Sequence, residues 1–491
     1  MFDFRALIEA ALQALERDRP AEAEKSIRAA LAMNPRDDQL LHLLGVSLIR
    51  QLREAEAVAP LRKAISLNRR DAEYHNALAV ALRGSGGVGE AIESGLRALK
   101  LEPGLHDAHY NLGYAYQMAG EFAKAEERFL LLLARNPQDV EVIGAIANLR
   151  WFMGEQEAAM QTLRDGIAAN PSSGDLRFRL GEQLLSLGRY EEGWFRYLWR
   201  VNRHVFLRRM GLPFDSPKLM QPLAASLAGA TIRVHTEQGI GDDLYFLRFA
   251  RFLRERGARI EGAVTPRMQA MIERSGALDH SAPAADDQPP DAGFRLLGDL
   301  PYLLEAYQLP VPEAVRFAPL PQNQASVAAR LAGLPRPLIG LTWRAGTGPE
   351  SGMRMVLFKE VPFSDFVALA ARLPGTLLVL QRAPRAGEVD KLAAACAGRV
   401  VDLSALNADL EEMHALLAQL DEYVGVSNTN MHLCAALGRG ARVFVSRGSE
   451  FRWMAAGAES PWFPGFRIYR QGPKGDWGQA LADVAKDMSG G

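Results

Sequence analysis

The stretch "RVHTEQGIGDDLYFLRFARFLRERGARI", residues 233 to 260, is where the chain changes its rhythm. A short alternating run ends in a turn carrying Gly239 and Gly241. Asp242 and Asp243 follow, and apolar residues then recur at helical spacing to about Arg256. RIEGAVT, from Arg259, reads as a strand again. Strand, helix, strand predicts a parallel α/β sheet from about residue 229 onward. Taken alone, "EQGIGDD" is also what a glycine turn with an N-capping Asp looks like, so its chemistry must be read from its surroundings.

Upstream the pattern is different. Pro35, Pro103, Pro137 and Pro171 lie 68, 34 and 34 residues apart, with Arg69 at the skipped position. Ala23, Ala57, Ala91, Ala125 and Ala159 keep the same phase, as do Ala30, Ala64 and Ala98. Leu44–Gly45, Leu78–Ala79, Leu112–Gly113, Ile146–Ala147 and Leu180–Gly181 mark one point on successive first helices. A 34-residue unit with small residues at fixed places resembles the tetratricopeptide repeat, whose paired helices approach closely there and stack into a superhelix. About five full units and a degenerate last one predict an all-α solenoid over residues 1–205. Its concave face is expected to hold a protein or peptide segment, with Asn76, Tyr110, Asn111, Tyr114 and Asn148 of the type that lines such a groove. A spacer or oligomerisation scaffold is the plainer alternative. In the last unit Tyr190, Trp194, Phe195, Tyr197 and Trp199 are expected to pack the solenoid's end onto the next domain.

A chain of 491 residues exceeds one domain of ~100–200 residues, so two or three are expected. A net charge of −1 and a pI near 6.8 argue against nucleic acid and anionic membranes as partners. The first residues carry Asp3 and Glu9 and no basic n-region, so no signal peptide is expected. The longest apolar run, Phe129 to Ala134, is too short for a transmembrane segment. Cys396 and Cys434 are too few for a disulfide framework or cysteine-ligated zinc. A cytoplasmic protein is the expectation.

Downstream, PLIGLTW, TLLVLQ, VVDL, YVGVSN and RVFVS read as short buried strands of a second α/β series. "HSAPAADDQPPDAG" (280–293) reads as a break, "PLPQNQASVAARLAGLPRP" (319–337) as a linker, and "SPWFPGFRIYR" (460–470) as a packed crossover. Two lobes are predicted, 206–320 and 321–491, with ligands at their facing strand ends. G-x-G-x-x-G, P-loop, HExxH and G-x-S-x-G are all absent, which argues against hydride transfer and the hydrolases those motifs mark.

"EQGIGDDLYFLRFARFLRERGA", "IGLTWRAG", "LVLQRAPR", "GVSNTNMHLCAALGR" and "EFRWMAAGAESPWFPGFRIYRQ" together resemble bacterial tetratricopeptide proteins. In those proteins the C-terminal half is similar to heptosyltransferase-like glycosyltransferases of GT-B fold. The architecture is also similar to that of flagellin glycosyltransferases. The resemblance implies double Rossmann-like lobes and an inverting transfer from a nucleotide-sugar. No metal or resident cofactor is expected. It makes Asp242 the general base, with Asp243 in reserve, and places His235, Glu237, Gln238 and Gly241 on the acceptor side. Donor binding is implied for Arg344, Lys359, Gln381, Arg382, Asn428, Thr429, Asn430 and His432. The amides of Thr429 to His432 are expected to face a phosphate. Two departures stand out. Asn428 replaces the family's Asp, and "PESGMRMVLFKEV" is less basic than its counterpart. The 230–320 lobe is short for a full acceptor domain, which favours a polypeptide acceptor held by the repeats. The alternative is a noncatalytic adaptor with a degenerate transferase half.

Overall fold

The structure is a computed structural model that describes residues 4–284, 294–345, 359–448, 450–473 and 475–489, without the side chains of 217 and 218. Its contacts divide the chain into two units at Asn170 and Pro171.

The first unit is helical throughout: α1 (Phe4–Glu16), α2 (Pro20–Met33), α3 (Asp38–Arg50), α4 (Glu54–Leu67), α5 (Ala72–Gly84), α6 (Val88–Leu101), α7 (His106–Met118), α8 (Phe122–Arg135), α9 (Val140–Met153) and α10 (Gln156–Ala169). The sequence period is a packing period. Ala23, Ala57, Ala91, Ala125 and Ala159 are all fully buried. A methyl group added at Gly45 would lie 2.4 Å from Leu61, and one at Gly113 would lie 2.6 Å from Phe129, so larger side chains would force the paired helices apart. Asp37, Asp71 and Asp139 cap α3, α5 and α9 through their carboxylates at the same phase. The turn between paired helices needs a left-handed residue. Gly86, Gly120 and Gly154 supply it, whereas Asp18 and Leu52 take φ of 54° and 56° there.

The second unit opens with α11 (Gly174–Ser186) and α12 (Tyr190–Tyr197), a helix pair still in repeat phase, followed by α13 (Val201–Arg209) and α14 (Pro217–Met220). Besides α11, α12 packs on the α/β part. Trp194 is 2% exposed and meets the edges of Phe246, Phe249, Phe451 and Trp462.

Then come β1 (Thr231–His235), α15 (Ile240–Leu247), α16 (Ala250–Glu255), β2 (Arg259–Val264), α17 (Gln269–Ser275), β3 (His280–Pro283), β4 (Phe294–Leu296) and α18 (Leu300–Leu303). These strands form a parallel sheet in the order β3-β2-β1-β4. A second series follows: α19 (Pro321–Leu331), β5 (Leu338–Thr342), β6 (Arg344–Ala345), β7 (Lys359–Glu360), α20 (Phe363–Ala370), β8 (Thr376–Val379), α21 (Glu388–Ala395), β9 (Val400–Asp402), α22 (Leu410–Leu417), β10 (Glu422–Val426), α23 (Thr429–Ala436), β11 (Arg442–Val445), β12 (Arg467–Arg470) and α24 (Gly478–Ser489). Its parallel sheet runs β12-β11-β10-β5-β8-β9, and β6 and β7 make a separate antiparallel ribbon.

Three expectations change. His280–Pro283 is a strand rather than a break, Pro321–Leu331 is a helix packed on α22 rather than a linker, and the supposed crossover contains β12. Residues 285–293 and the segment 346–358, which holds most of "PESGMRMVLFKEV", lie outside the described residues. Among the described residues no helix is long and apolar enough to cross a membrane.

Candidate functional site

The two sheets are alike at their central strands. β1 leads through Gly239 into α15, and β10 leads through Asn428 into α23, so both helices start at the C-terminal ends of parallel strands. That is where ligands collect in such sheets. The two helix starts meet. A methyl group at Gly241 would lie 3.0 Å from the His432 ring and 3.7 Å from the Thr429 Cα, so any larger side chain would press on the His432 ring. The sequence suggested that Asp242 opens its helix, and the structure differs. Gly239 occupies the cap and Asp242 sits in the first turn, its carboxylate a third exposed.

Around that carboxylate lies a charged cluster. Arg452 pairs with Asp242, and Lys359 pairs with Glu450. Glu450 also lies 3.8 Å from Arg452 and accepts a 2.9 Å bond from the Ser427 hydroxyl. The Arg452 guanidinium lies against the rings of Tyr245 and Phe451, 4.9 and 5.3 Å from their centroids. From α11, Glu182 faces the same group. Burial pushes its carboxyl up to about 7, against the pull of Arg179 and Arg452. His432 is buried between the edges of Tyr245 and Phe463. Its imidazole titrates well below the usual histidine range, first because it is buried and then because Arg452, Arg248 and Lys359 surround it. It brings no positive charge at neutral pH.

Asn428 caps α23. Its carbonyl accepts from the amides of Asn430 and Met431, and its side-chain amide is 2.9 Å from both the Thr342 and Tyr423 hydroxyls. Two of the four amides expected to face a phosphate are therefore already occupied, because an Asn at the cap reaches them first.

The expected acceptor-side residues divide. Gly241 is at the meeting point, beside Asp242, the expected base. Glu237 has a fully buried side chain 2.6 Å from Arg200, which is 2.7 Å from Asp299; Arg203 is 2.9 Å from the same Asp299. Burial raises the Glu237 carboxyl and Arg200 draws it back. Gln238 bridges Tyr197 and Glu237. His235 packs on Phe206 and Phe294. Asp243 is 1% exposed, accepts a 3.3 Å bond from Thr265, and is held well above the usual carboxylate range by burial and by neighbouring Glu237 and Asp242.

A further group lies on another face. In the β6–β7 ribbon Arg344 is paired with Glu360 and Ala345 with Lys359, so the Arg344 and Lys359 side chains leave opposite faces. Arg344 grips Glu388 at 2.8 and 3.1 Å. Gln381 accepts from the backbone amides of Trp343 and Arg344, tying β5 to the end of β8, and Arg382 is exposed. Of the expected donor residues, Lys359, Thr429 and His432 gather near Asp242. Sequence reading missed Glu182, Glu450 and Arg452; "EFRW" entered only as the start of a stretch that carries the family resemblance, with no role given to its charges. The available signal was two charges set among residues that are otherwise apolar.

Tetratricopeptide repeat models match residues 8–75 and 82–149. Protein FlbA of Caulobacter vibrioides is 26% identical over 369 residues, which is 68% of this chain and 59% of that protein. The chain thus spans less than two thirds of that relative's length. Among solved structures, a thermophilic tetratricopeptide protein of Thermus thermophilus is 23% identical over 37% of this chain and 100% of its own, with a TM-score of 0.34. A tetratricopeptide protein from Parabacteroides merdae is 20% identical over 42% of this chain and 84% of its own, with a TM-score of 0.35. The first unit carries tetratricopeptide repeats, which support a protein-interaction role.

Proposed function

We propose that the second unit is an inverting, metal-independent glycosyltransferase of GT-B type that uses a nucleotide-sugar, and that the repeats capture the polypeptide whose hydroxyl receives the sugar. The observation that carries this reading is the meeting of two strand-to-helix turns at Gly241 and His432, with a part-exposed carboxylate and two cations around it. In the proposed step the acceptor oxygen attacks the anomeric carbon as its proton passes to Asp242. The bond from that carbon to the phosphate oxygen breaks, and the nucleoside diphosphate leaves with the electron pair. Arg452, Lys359 and the start of α23 offset the charge that develops on it.

A noncatalytic adaptor is the second reading. One observation favours it: Asp242, Arg452 and Lys359 each already have a partner of opposite charge. Mass spectrometry of nucleoside diphosphate released from a panel of nucleotide-sugars separates the two. The transferase reading expects slow release to water, faster with acceptor, that Asp242→Ala abolishes while donor binding persists. Binding without release from any donor supports the adaptor.

A further inference from the structure

Arg452 is buried, at 7% exposure, yet its Nε has no hydrogen-bond partner among the described residues. An orphaned donor on a buried guanidinium carries a desolvation cost that nothing among the described residues repays. The rings of Tyr245 and Phe451 fix the position of the group, and one Nη is given to Asp242. A planar guanidinium takes a phosphate with two parallel N–H bonds. Here that fork needs the idle Nε together with an Nη, and the Nη that now serves Asp242 is drawn into the exchange. We infer that Arg452 is the anion-binding residue of this site and that it trades Asp242 for a diphosphate oxygen, releasing the Asp242 carboxylate only when the diphosphate is in place.

The inference rests on the transferase reading of the site and adds an order to it. Before the donor arrives, Asp242 is neutralised by Arg452 and offers an incoming hydroxyl a spent acceptor. After the exchange it is a free carboxylate beside an occupied donor site. The donor therefore binds before a productive acceptor. The other charged groups facing Arg452 are Glu450 and Glu182, with Lys359 and Arg248 close by. Glu450 already engages Lys359 and Ser427, which leaves Asp242 as the partner to be exchanged.

The test is a double-mutant cycle on the full chain with inorganic pyrophosphate as the probe, at constant ionic strength. Asp242→Asn removes the competing carboxylate and is expected to tighten pyrophosphate binding by about tenfold or more, within the coupling range of residues in one ion-pair network. In the Arg452→Gln background the same substitution is expected to change affinity by less than about twofold, since no guanidinium is left to free. An equal gain in both backgrounds would reduce the effect to through-space repulsion and overturn the exchange, as would no gain with Arg452 present. If the unsubstituted chain binds pyrophosphate and the gain is absent, only the exchange falls. If none of the four chains binds pyrophosphate, the transferase reading of the site falls with it. Midpoints of unfolding without ligand establish that each variant folds. Should Arg452→Gln not fold, Arg452→Met keeps an unbranched side chain without the charge and serves in its place.

Discussion

Asn428 and Glu182 show how single residues of this site can be judged. The side chain of Asn428 caps α23 and joins the hydroxyls of Thr342 and Tyr423, so its presence in place of an acid has a structural account. Asn428→Ala should cost about 1–2 kcal/mol by chemical denaturation, as lost caps do. Asn428→Asp should stay within about 1 kcal/mol of the parent, because both hydroxyls can turn to donate to a carboxylate. An Ala variant as stable as the parent would contradict the cap. Glu182 titrates near 7 when folded, above its ordinary 4.5. A carboxyl raised in this way adds stability below pH ~4.5 and loses it as pH rises to about 7, because the folded state holds the proton more tightly. Glu182→Gln should therefore raise the melting midpoint at pH 8 and leave it nearly unchanged at pH 4.5. The contribution at pH 8 is of order 1 kcal/mol per unit of displacement. A constant difference across that range would show that Glu182 does not titrate there.

At the scale of elements, the left-handed turn between paired helices is the weak point of the early repeats. Leu52 adopts φ 56° where later repeats have glycine, and its side chain is 42% exposed, so little packing would be lost. Leu52→Gly should stabilise the first unit by about 0.5–1 kcal/mol, seen as a higher urea midpoint. Asp18→Gly should do less, since Asp tolerates that region better. The same scale explains what the sequence made legible. Repeats were readable because close helix approach forces small residues into one phase, and the central strands were readable because they are buried on both faces. α19 escaped because it begins with Pro321 and buries only Val327 and Leu331, which leaves no apolar stripe. β3 escaped because only Ser281 of its four residues is buried, and β12 because Ile468 and Tyr469 are its only buried positions. Asp242, Thr429 and His432 could be named from a turn and a motif. Arg452 could not, since its partner lies 210 residues upstream and no local pattern encodes that pairing.

Across the second unit, two buried assemblies hold the site in place. Trp194 joins α12 to α15 and to the segment around Phe451, and Trp194→Ala should cost about 3–5 kcal/mol. Glu237 balances Arg200 with no solvent access, and Glu237→Ala should cost a similar ~3–5 kcal/mol by stranding a buried charge. Both losses should appear in the unfolding of the second unit. A Glu237→Ala chain that keeps full stability and loses only acceptor affinity would return that residue to the acceptor side. The charged group around Asp242 is proposed to bind a nucleotide-sugar. The most direct measurement is a thermal-shift series of the full chain against UDP, GDP, ADP, CMP and their sugar conjugates, repeated with Lys359→Ala and Arg452→Gln. One nucleotide class is expected to raise the midpoint by the equivalent of ~2.7 kcal/mol at a hundredfold excess over its Kd, and both substitutions to remove the shift. A midpoint that no nucleotide moves would contradict that binding and leave the repeats as the working part of the molecule.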